Sequence, residues 1–229
     1  LNFAKIAGSS IMPGQSVFVR WKQKFSPEMI NTYFNSGQGW KQGMIGTASE
    51  YSCASNEIVV QNTAQRGLPQ MYHACGYYEN FQPSIPPYDF DLQPPSKCSY
   101  QIVKSGQVDP NCTYYVANEW MTFQIGLDMD ASGNARIRLW IAREGQAQKL
   151  VIDYSRSLRS AELGYGKVWF TPYHTKKDST QVHPTAYTWY DELIVSRAPI
   201  GLNVIDTGTG GGGTTNPPAD TTAPSVSLS

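Results

Sequence analysis

Two adjacent residues near the carboxyl end of the chain, Tyr173 and His174, have side chains that can donate and accept a proton. They stand where a predicted strand ends and a polar loop containing Lys177 and His183 begins. Removal of the proton beside a uronate carboxylate needs such a base near neutrality, with an acid at the leaving oxygen. The pattern predicts a binding or catalytic loop suited to β-elimination. A solvated loop with ordinary charges is the alternative.

A second group of polar side chains lies in the segment LPQMYHAC, where alternation places Gln70 and Tyr72 on one side of a strand. An amide such as Gln70 can hold a uronate carboxylate during elimination. His73 falls on the other side with Met71 and is interpreted as a core histidine, although it is also a candidate acid or base. The catalytic candidates are Tyr173, His174, His73 and Gln70.

The outward positions of several predicted strands combine aromatic rings, amides and cations. Rings stack on sugar faces, amides bond hydroxyl groups, and Arg or Lys pairs with uronate carboxylates. Exposed aromatic side chains on a monomer often mark a site, so the mixture predicts a polysaccharide groove. The alternative is the polar outer face of any sandwich, because alternation does not say which strands share a sheet. The candidate substrate-binding residues are Arg20, Lys22, Gln61, Tyr72, Arg138, Trp140, Trp169 and Lys177.

The acidic residues give little support for a glycoside hydrolase, which needs two carboxyl groups across the scissile bond. Glu57 has Val59 and Gln61 as its outward neighbours on a predicted strand. Asp191 and Glu192 are adjacent, so alternation predicts that they point to opposite faces. No GxSxG motif supports a serine nucleophile either.

Residues 128–134, DMDASGN, resemble the opening of a calcium loop with Asp128 and Asp130 as candidate ligands. The closing Glu of an EF-hand is missing, and the segment joins two strong strands. A hairpin turn is the favoured interpretation. No other metal or cofactor is predicted.

Short alternating segments bounded by turns make up most of the chain, with one helix signal at residues 26–33. A parallel sheet would need alternating helices, so the pattern predicts an all-β, antiparallel sandwich. The predicted strands are residues 16–25, 40–46, 56–62, 68–75, 120–127, 135–142, 149–154, 167–173 and 187–196.

Composition narrows the class of partner. Eighteen basic and eighteen acidic side chains balance, so no net field favours nucleic acid. No apolar run is long enough to span a bilayer, and membrane insertion is not expected. Abundant aromatic residues with few charges suit a β-protein that meets a polysaccharide.

Four cysteines, Cys53, Cys75, Cys98 and Cys112, match no zinc-site spacing. Their even number predicts two disulfides and an oxidising compartment, hence a secreted or cell-surface protein. Three pairings are possible. Cys53 with Cys75 and Cys98 with Cys112 is the preferred one, because each bond would clip an irregular insertion. The long Pro- and Tyr-rich segment 76–118 is interpreted as such an insertion at the border of a cleft.

A change in composition divides the chain into a β-domain, residues 1–203, and a Gly/Thr/Pro-rich linker, residues 204–229. The last residues of the linker resemble the start of an immunoglobulin-like or fibronectin-like module. A longer, modular parent protein is therefore expected.

Several segments, taken in order, resemble a group of secreted bacterial proteins that are often followed by fibronectin-type repeats. These segments are FVRWKQKFSPE, GWKQGMIG, EIVVQNTAQRGLPQMY, NEWMTFQIGL, RLWIAREGQ, KVWFTPYHTKKD and AYTWYDELIVS. Their sandwich is similar to the concanavalin A-like jelly rolls of polysaccharide lyases that act on alginate, glucuronan and related uronans. The resemblance implies a jelly-roll fold.

The lyase motifs correspond to this sequence in part. Alginate lyases of this fold have an Arg-x-Glu-Leu-Arg strand, a Gln-Ile-His strand and a late Tyr-Phe-Lys-x-Gly-x-Tyr strand. Here NEIVVQN lacks both arginines, and PQMYH supplies Gln70 and His73 with two residues between them. KVWFTPY supplies Lys167 and Tyr173 at a longer spacing. The resemblance implies catalytic roles for Gln70, Tyr72, His73 and Tyr173.

Three functions follow from these patterns. In the first, a polysaccharide lyase, Tyr173 is the acid or base with a histidine, and a second set of residues holds the carboxylate. That set is Gln70, Arg20 and Arg138. The second is a non-catalytic carbohydrate-binding module that stacks sugars on Trp140, Trp169 and Tyr72. The third is a structural or adhesive protein that associates with copies of itself.

Overall fold

The computed structural model describes residues 1–4, 10–34, 39–47, 57–63, 67–74, 112–157, 164–170, 172, 174 and 178–201. Of residues 63, 73, 74, 156 and 157 only the backbone is described. Tyr173 and Lys177, three of the four cysteines and the linker at 204–229 lie outside these ranges. The disulfide pairing and the role of the linker therefore remain predictions.

The described chain consists of strands and one short helix, α1, at Pro27–Asn31. The strands are β1 (Ser16–Phe25), β2 (Gly39–Thr47), β3 (Glu57–Thr63), β4 (Gln70–Ala74), β5 (Trp120–Met129), β6 (Asn134–Arg143), β7 (Lys149–Ser157), β8 (Tyr165–Phe170) and β9 (Thr188–Ser196). Each overlaps a strand predicted from alternation, so the all-β prediction is confirmed.

The strands form two antiparallel sheets. Sheet A has the order β4-β3-β2-β8, and sheet B has the order β7-β6-β5-β1-β9. At the β8 edge of sheet A the amino terminus adds short pairings, Asn2 with Lys167 and Ile11 with Tyr165. Neighbours in sequence, such as β3 and β4, pair directly, whereas β1 pairs with β5 and β9 from far along the chain.

Alternation along each strand explains why the sheets pack into a sandwich. On β1, Val17, Val19 and Trp21 point inward and are buried, while Arg20 and Lys22 point outward. The inward side chains of both sheets belong to one apolar cluster. Aromatic rings join the two layers across this core: Trp21 of sheet B lies 5.4 Å from the ring of Phe170 in sheet A.

Helix α1 begins where the predicted signal placed it. Ser26 is the N-cap, and its Oγ accepts a hydrogen bond from the backbone N–H of Met29 at 3.3 Å. Pro27 fits the first turn, because its missing N–H would have no helical partner there. In the part of the chain that the structure describes, no helix has the length and apolarity that crossing a bilayer would need.

Candidate functional site

The outward side of sheet A, here called face A, carries four of the candidate residues. Its middle row runs across four strands from Tyr72 through Val59 and Met44 to Trp169. One flanking row is Gln70, Gln61 and Lys41, and the other includes Glu57, Gly46 and Lys167. With strands about 4.8 Å apart, the face is about 14 Å wide from β4 to β8. The structure therefore brings Gln61, Gln70, Tyr72 and Trp169 onto one surface.

Gln70 has a buried amide group with unmet hydrogen-bonding capacity. The residue is 0% exposed, and neither Nε2 nor Oε1 has a hydrogen-bond partner among the described residues. Buried amides in native proteins nearly always have partners, since an orphaned group costs about 1–3 kcal/mol. A ligand with both donors and acceptors, such as a carboxylated sugar with hydroxyl groups, would supply them.

Lys167 and Trp169 form a cation and ring pair at the β8 end of face A. Lys167 is only 9% exposed, and its Nζ lies 4.5 Å from the centroid of the Trp169 ring. Among the described residues, no carboxylate forms a salt bridge with Lys167. The Trp169 ring lies directly on Gly46, where a Cβ would stand 2.5 Å from Cζ3 of the ring. Glycine at position 46 therefore lets the ring lie flat against the sheet.

Lys41 and Met44 were not among the candidates that alternation suggested, and an irregularity in β2 explains why. The register between β2 and β3 shifts between Lys41 and Gly43, so Met44 rather than Ile45 points outward. Lys41 Nζ lies 5.9 Å from the centroid of the Tyr72 ring. The sequence WKQGMIG contains one weak signal of this shift, Gly43, because glycine within a strand often marks a bulge.

Two tyrosines, the buried Tyr115 and the partly buried Tyr190, hold the irregular residue, Gln42, in place. The Tyr115 hydroxyl donates to Gln42 Oε1 at 2.8 Å, and the Tyr190 hydroxyl donates to the Gln42 carbonyl oxygen at 3.1 Å. Burial raises the pKa of both tyrosines. They therefore stay protonated as donors and fix the outward direction of the β2 side chains.

The outward side of sheet B, here called face B, carries four further candidates of the predicted groove. Arg20 and Lys22 lie on β1, and Arg138 and Trp140 lie on β6, all pointing away from the core. The core separates them from Gln70 on face A. Arg20 and Arg138 therefore cannot hold the same carboxylate as Gln70, and the single pooled groove divides into two surfaces on opposite sides of the molecule.

Three cations of face B, Arg20, Lys22 and Arg138, have carboxylate partners within the protein, although Nε of Arg20 and Nε of Arg138 have no hydrogen-bond partner among the described residues. Arg138 is ion-paired with Asp128 and lies 4.9 Å from the ring centroid of Trp140, which is itself buried. Lys22 Nζ lies 2.6 Å from Glu192 Oε1, and Arg20 lies 3.6 Å from the same carboxylate.

The expectation that Asp191 and Glu192 point to opposite faces is wrong. Asp191 pairs with Lys22, and the Glu192 carboxylate reaches the same outward cations. The β1–β9 register shifts between Arg20 and Lys22, and Glu192 has a φ of 48°. This local irregularity turns two successive side chains to one side.

His174 and His183 lie at neither face. His174 pairs with Trp40 at the end of sheet A, and its ring centroid is 3.9 Å from that of Phe34. The His183 ring packs against the same phenylalanine at 5.0 Å. His73 pairs with Ile58, whose side chain is in the core. Of the four catalytic candidates, only Gln70 is thus described on face A, and Tyr173 lies outside the described residues.

The segment considered for calcium is a hairpin turn between β5 and β6. Asp130 Oδ1 accepts hydrogen bonds from the Ser132 hydroxyl at 2.7 Å and from the backbone N–H of Asn134 at 2.9 Å. These hydrogen bonds lower the pKa of Asp130 to about 2. Among the described residues, no three His, Cys, Asp or Glu side chains are grouped to hold a metal ion. Calcium binding there remains a prediction.

Comparisons with known proteins support the fold. No protein-family model matches the chain, and no curated protein matches it. Among solved structures, the PL-14 alginate lyase from Aplysia kurodai has a TM-score of 0.53 at 12% identity, covering 83% of this chain and 72% of the lyase. The endo-β-1,4-glucuronan lyase from Trichoderma reesei has a TM-score of 0.43 at 11% identity, covering 82% and 70%. The chain is an antiparallel β-sandwich of the jelly-roll type.

Proposed function

We propose that face A binds a uronate-containing polysaccharide and cleaves it by β-elimination. The observation that carries the proposal is the buried amide of Gln70, for whose donor and acceptor the described part of the chain supplies no partner. Lys167, at the other side of the face, adds a nearly buried cation without a described carboxylate partner. A polyanion with hydroxyl groups would satisfy both groups.

The reaction places specific demands on this face. A base removes the proton from the carbon beside the carboxylate, and that electron pair forms a double bond to the next carbon. The bond from that carbon to the glycosidic oxygen breaks, and an acid protonates the leaving oxygen. Gln70 Nε2 would donate to the substrate carboxylate, which disperses charge as the proton leaves. The Tyr72 hydroxyl would move the proton, and Tyr173 remains the other candidate for that role.

The fold is consistent with this proposal. The Aplysia kurodai protein, which has the jelly-roll fold in common with this chain, is an alginate lyase. At 12% identity the likeness concerns the backbone, so the proposal depends on the residues of face A. We also propose an extracellular location, because the polymer and the predicted disulfides would both belong there.

A second candidate function is carbohydrate binding without cleavage. Trp169 lies flat on Gly46 with Lys167 against it, and this arrangement suits the stacking of an acidic sugar. Stacking of this kind needs no proton transfer. The two functions differ in whether Tyr72 is needed for turnover or only for affinity.

Ultraviolet absorbance of the conjugated double bond tests the proposal, because elimination creates this chromophore and hydrolysis does not. We expect absorbance to rise with at least one polymer in a panel of alginate, glucuronan and neutral glucan. Tyr72→Phe should lower turnover by about 100- to 10,000-fold, as for loss of a general acid or base. Tyr173→Phe is measured in parallel to decide between the two tyrosines.

Tyr33→Phe is the matched control, since Tyr33 is exposed and follows α1 rather than lying on a strand of sheet A. Gln70→Leu should weaken uronan binding and turnover together. If the protein binds a uronan, Gln70→Leu abolishes that binding and no variant changes the absorbance, the function is carbohydrate binding without cleavage. A folded protein that neither binds nor cleaves any uronan would overturn both.

A further inference from the structure

One end of face B differs from its centre in carrying exposed aromatic rings. Trp120 of β5 and Trp189 of β9 both pair with Lys24 of β1, so the three outward side chains form one row across neighbouring strands. Tyr187 precedes Trp189 by two residues, and their rings stack at 6.0 Å with an interplanar angle of 23°. Three aromatic rings and one cation therefore share a surface that the sequence patterns did not single out.

Two of the three rings at this end are exposed and the third, Trp120, is half-buried, whereas the rings at the centre of face B are buried. Trp189 is 45% exposed and Tyr187 is 55% exposed. Phe18 and Trp140, two to three rows away, are buried. Exposed aromatic side chains that are grouped in this way usually mark a contact surface.

The segment that follows β9 covers the centre of face B but does not reach the row of Lys24. The backbone N–H of Ile200 donates to Gln124 Oε1 at 2.8 Å, and Gln124 Nε2 donates to the Ile200 carbonyl oxygen at 3.2 Å. Gln148 Nε2 donates to the same carbonyl oxygen at 3.2 Å. The segment up to Gly201 thus crosses the centre of face B and leaves the row of Lys24 open.

The aromatic row is held rigidly at its edge. The backbone N–H of Ser26 donates to the Tyr187 carbonyl oxygen at 2.9 Å, and the Tyr187 N–H donates to Ser26 Oγ at 3.1 Å. Thr188 Oγ1 donates to the Lys24 carbonyl oxygen at 2.9 Å. Preorganised rings lose little conformational entropy when a ligand stacks on them.

Charge at the row favours an anion. Lys24 Nζ lies 5.9 Å from the centroid of the Trp189 ring, and no described carboxylate forms a salt bridge with it. The nearest cations, Lys22 and Arg20, share the Glu192 carboxylate instead. The positive charge of Lys24 is therefore available to an acidic partner.

We propose that Lys24, Trp120, Tyr187 and Trp189 form a second carbohydrate-binding platform, which takes an acidic polysaccharide. The rings stack on the apolar faces of the sugars, and Lys24 pairs with a uronate carboxylate. The platform lies on the opposite side of the sandwich from face A and needs no proton transfer. It would hold the protein on its polymer whether or not face A is catalytic.

Isothermal titration of the full chain with alginate, and with a neutral glucan of matched length, tests the platform. Trp189→Ala should weaken alginate binding at least tenfold, or about 1.4 kcal/mol. Lys24→Gln should weaken alginate binding and lessen its dependence on salt. Leu193→Ala, an exposed apolar change on the same strand, is the matched control and should leave affinity unchanged.

Trp169→Ala reports on face A separately, so the two proposals can fail independently. Loss of alginate binding in Trp189→Ala alone would support the platform and count against face A. Unchanged affinity in Trp189→Ala, with loss in Trp169→Ala, would overturn the platform. A dimer in the sedimentation velocity of the unsubstituted protein that dissociates in Trp189→Ala would also overturn it, since a second copy would then be the partner.

Discussion

On face B, Arg138 is ion-paired with Asp128, and Lys22 is paired with Glu192. On face A, Lys167 lies against Trp169 and forms no salt bridge with a described carboxylate. Both faces present cations and aromatic rings, yet Lys22 and Arg138 of face B are neutralised by carboxylates of the protein, whereas Lys167 of face A has no such partner among the described residues. Polar groups already satisfied within the fold contribute to structure, while orphaned ones are available to a ligand.

Each face also has a glycine beneath an aromatic ring. Substituting alanine at the two positions compares how easily the ring on each face can move. A Cβ at Gly126 would stand 2.7 Å from Phe18 Cε1 and 2.8 Å from Trp140 Cζ3, and both rings are buried. A Cβ at Gly46 would meet the partly exposed ring of Trp169. The buried rings cannot move aside, but Trp169 can.

We therefore expect Gly126→Ala to lower the free energy of unfolding by about 1–3 kcal/mol, the usual cost of overpacking. Gly46→Ala should cost less than about 1 kcal/mol and instead weaken uronan binding, because the Trp169 ring is displaced. Urea denaturation and titration of the same samples measure both quantities. An equal loss of stability in the two variants would show that Trp169 is as fixed as the rings of face B.

The two buried glutamines give the next comparison. Gln124 and Gln70 are both 0% exposed, but Gln124 bonds Ile200 and Gln148, whereas Gln70 has no hydrogen-bond partner in the ranges that the structure describes. Gln124→Leu leaves the Ile200 N–H unpaired and should cost about 1–2 kcal/mol. Gln70→Leu removes a buried amide that gains hydrogen bonds only on unfolding, so stability should be unchanged or slightly higher.

Thermal melting of the two leucine variants checks this expectation. Gln61→Leu, on the same row as Gln70 but partly exposed, serves as the control on face A. A large loss of stability in Gln70→Leu would mean that its amide supports the fold, and the main argument for a ligand on face A would fail.

Alternation predicted the strands and most inward positions because the core imposes a period of two on each strand. It placed Val17, Val19 and Trp21 correctly on β1 and Val168 on β8. It failed at the irregularity in β9, which places Glu192 on the same side as Asp191. A second irregularity, in β2, makes Met44 an outward residue, and neither shift has a sequence signal strong enough to predict it.

The division of the outward residues between two faces could not be predicted from the sequence, for a different reason. Arg20 and Gln70 have equivalent positions in their own strands, and each is outward. Which strands share a sheet depends on pairings between distant segments, such as β1 with β9. A pool of outward residues therefore cannot be divided into surfaces until those pairings are known, so the pooled groove combined residues from opposite sides.

The smallest expected effect is the loss of stability in acid, and it concerns an ion pair of sheet B. The side-chain hydrogen bond from Arg136 lowers the pKa of Asp153 despite some burial. Because the folded pKa lies below the usual value near 3.9, the contribution to stability is present above that value. It is lost as the pH falls through the folded pKa.

Asp153→Asn should therefore lower the free energy of unfolding at neutral pH by less than about 1 kcal/mol, as for an exposed ion pair. The difference from the unsubstituted protein should shrink towards about pH 3, where the carboxyl group becomes protonated in the unfolded chain. Denaturation at both pH values measures it, with Asp191→Asn as a control because Asp191 Oδ1 accepts only a backbone N–H, that of Glu192, among the described contacts. A difference that grows in acid would contradict the pairing of Arg136 with Asp153, and with it the view that most cations of sheet B, Lys24 excepted, are neutralised by its own carboxylates.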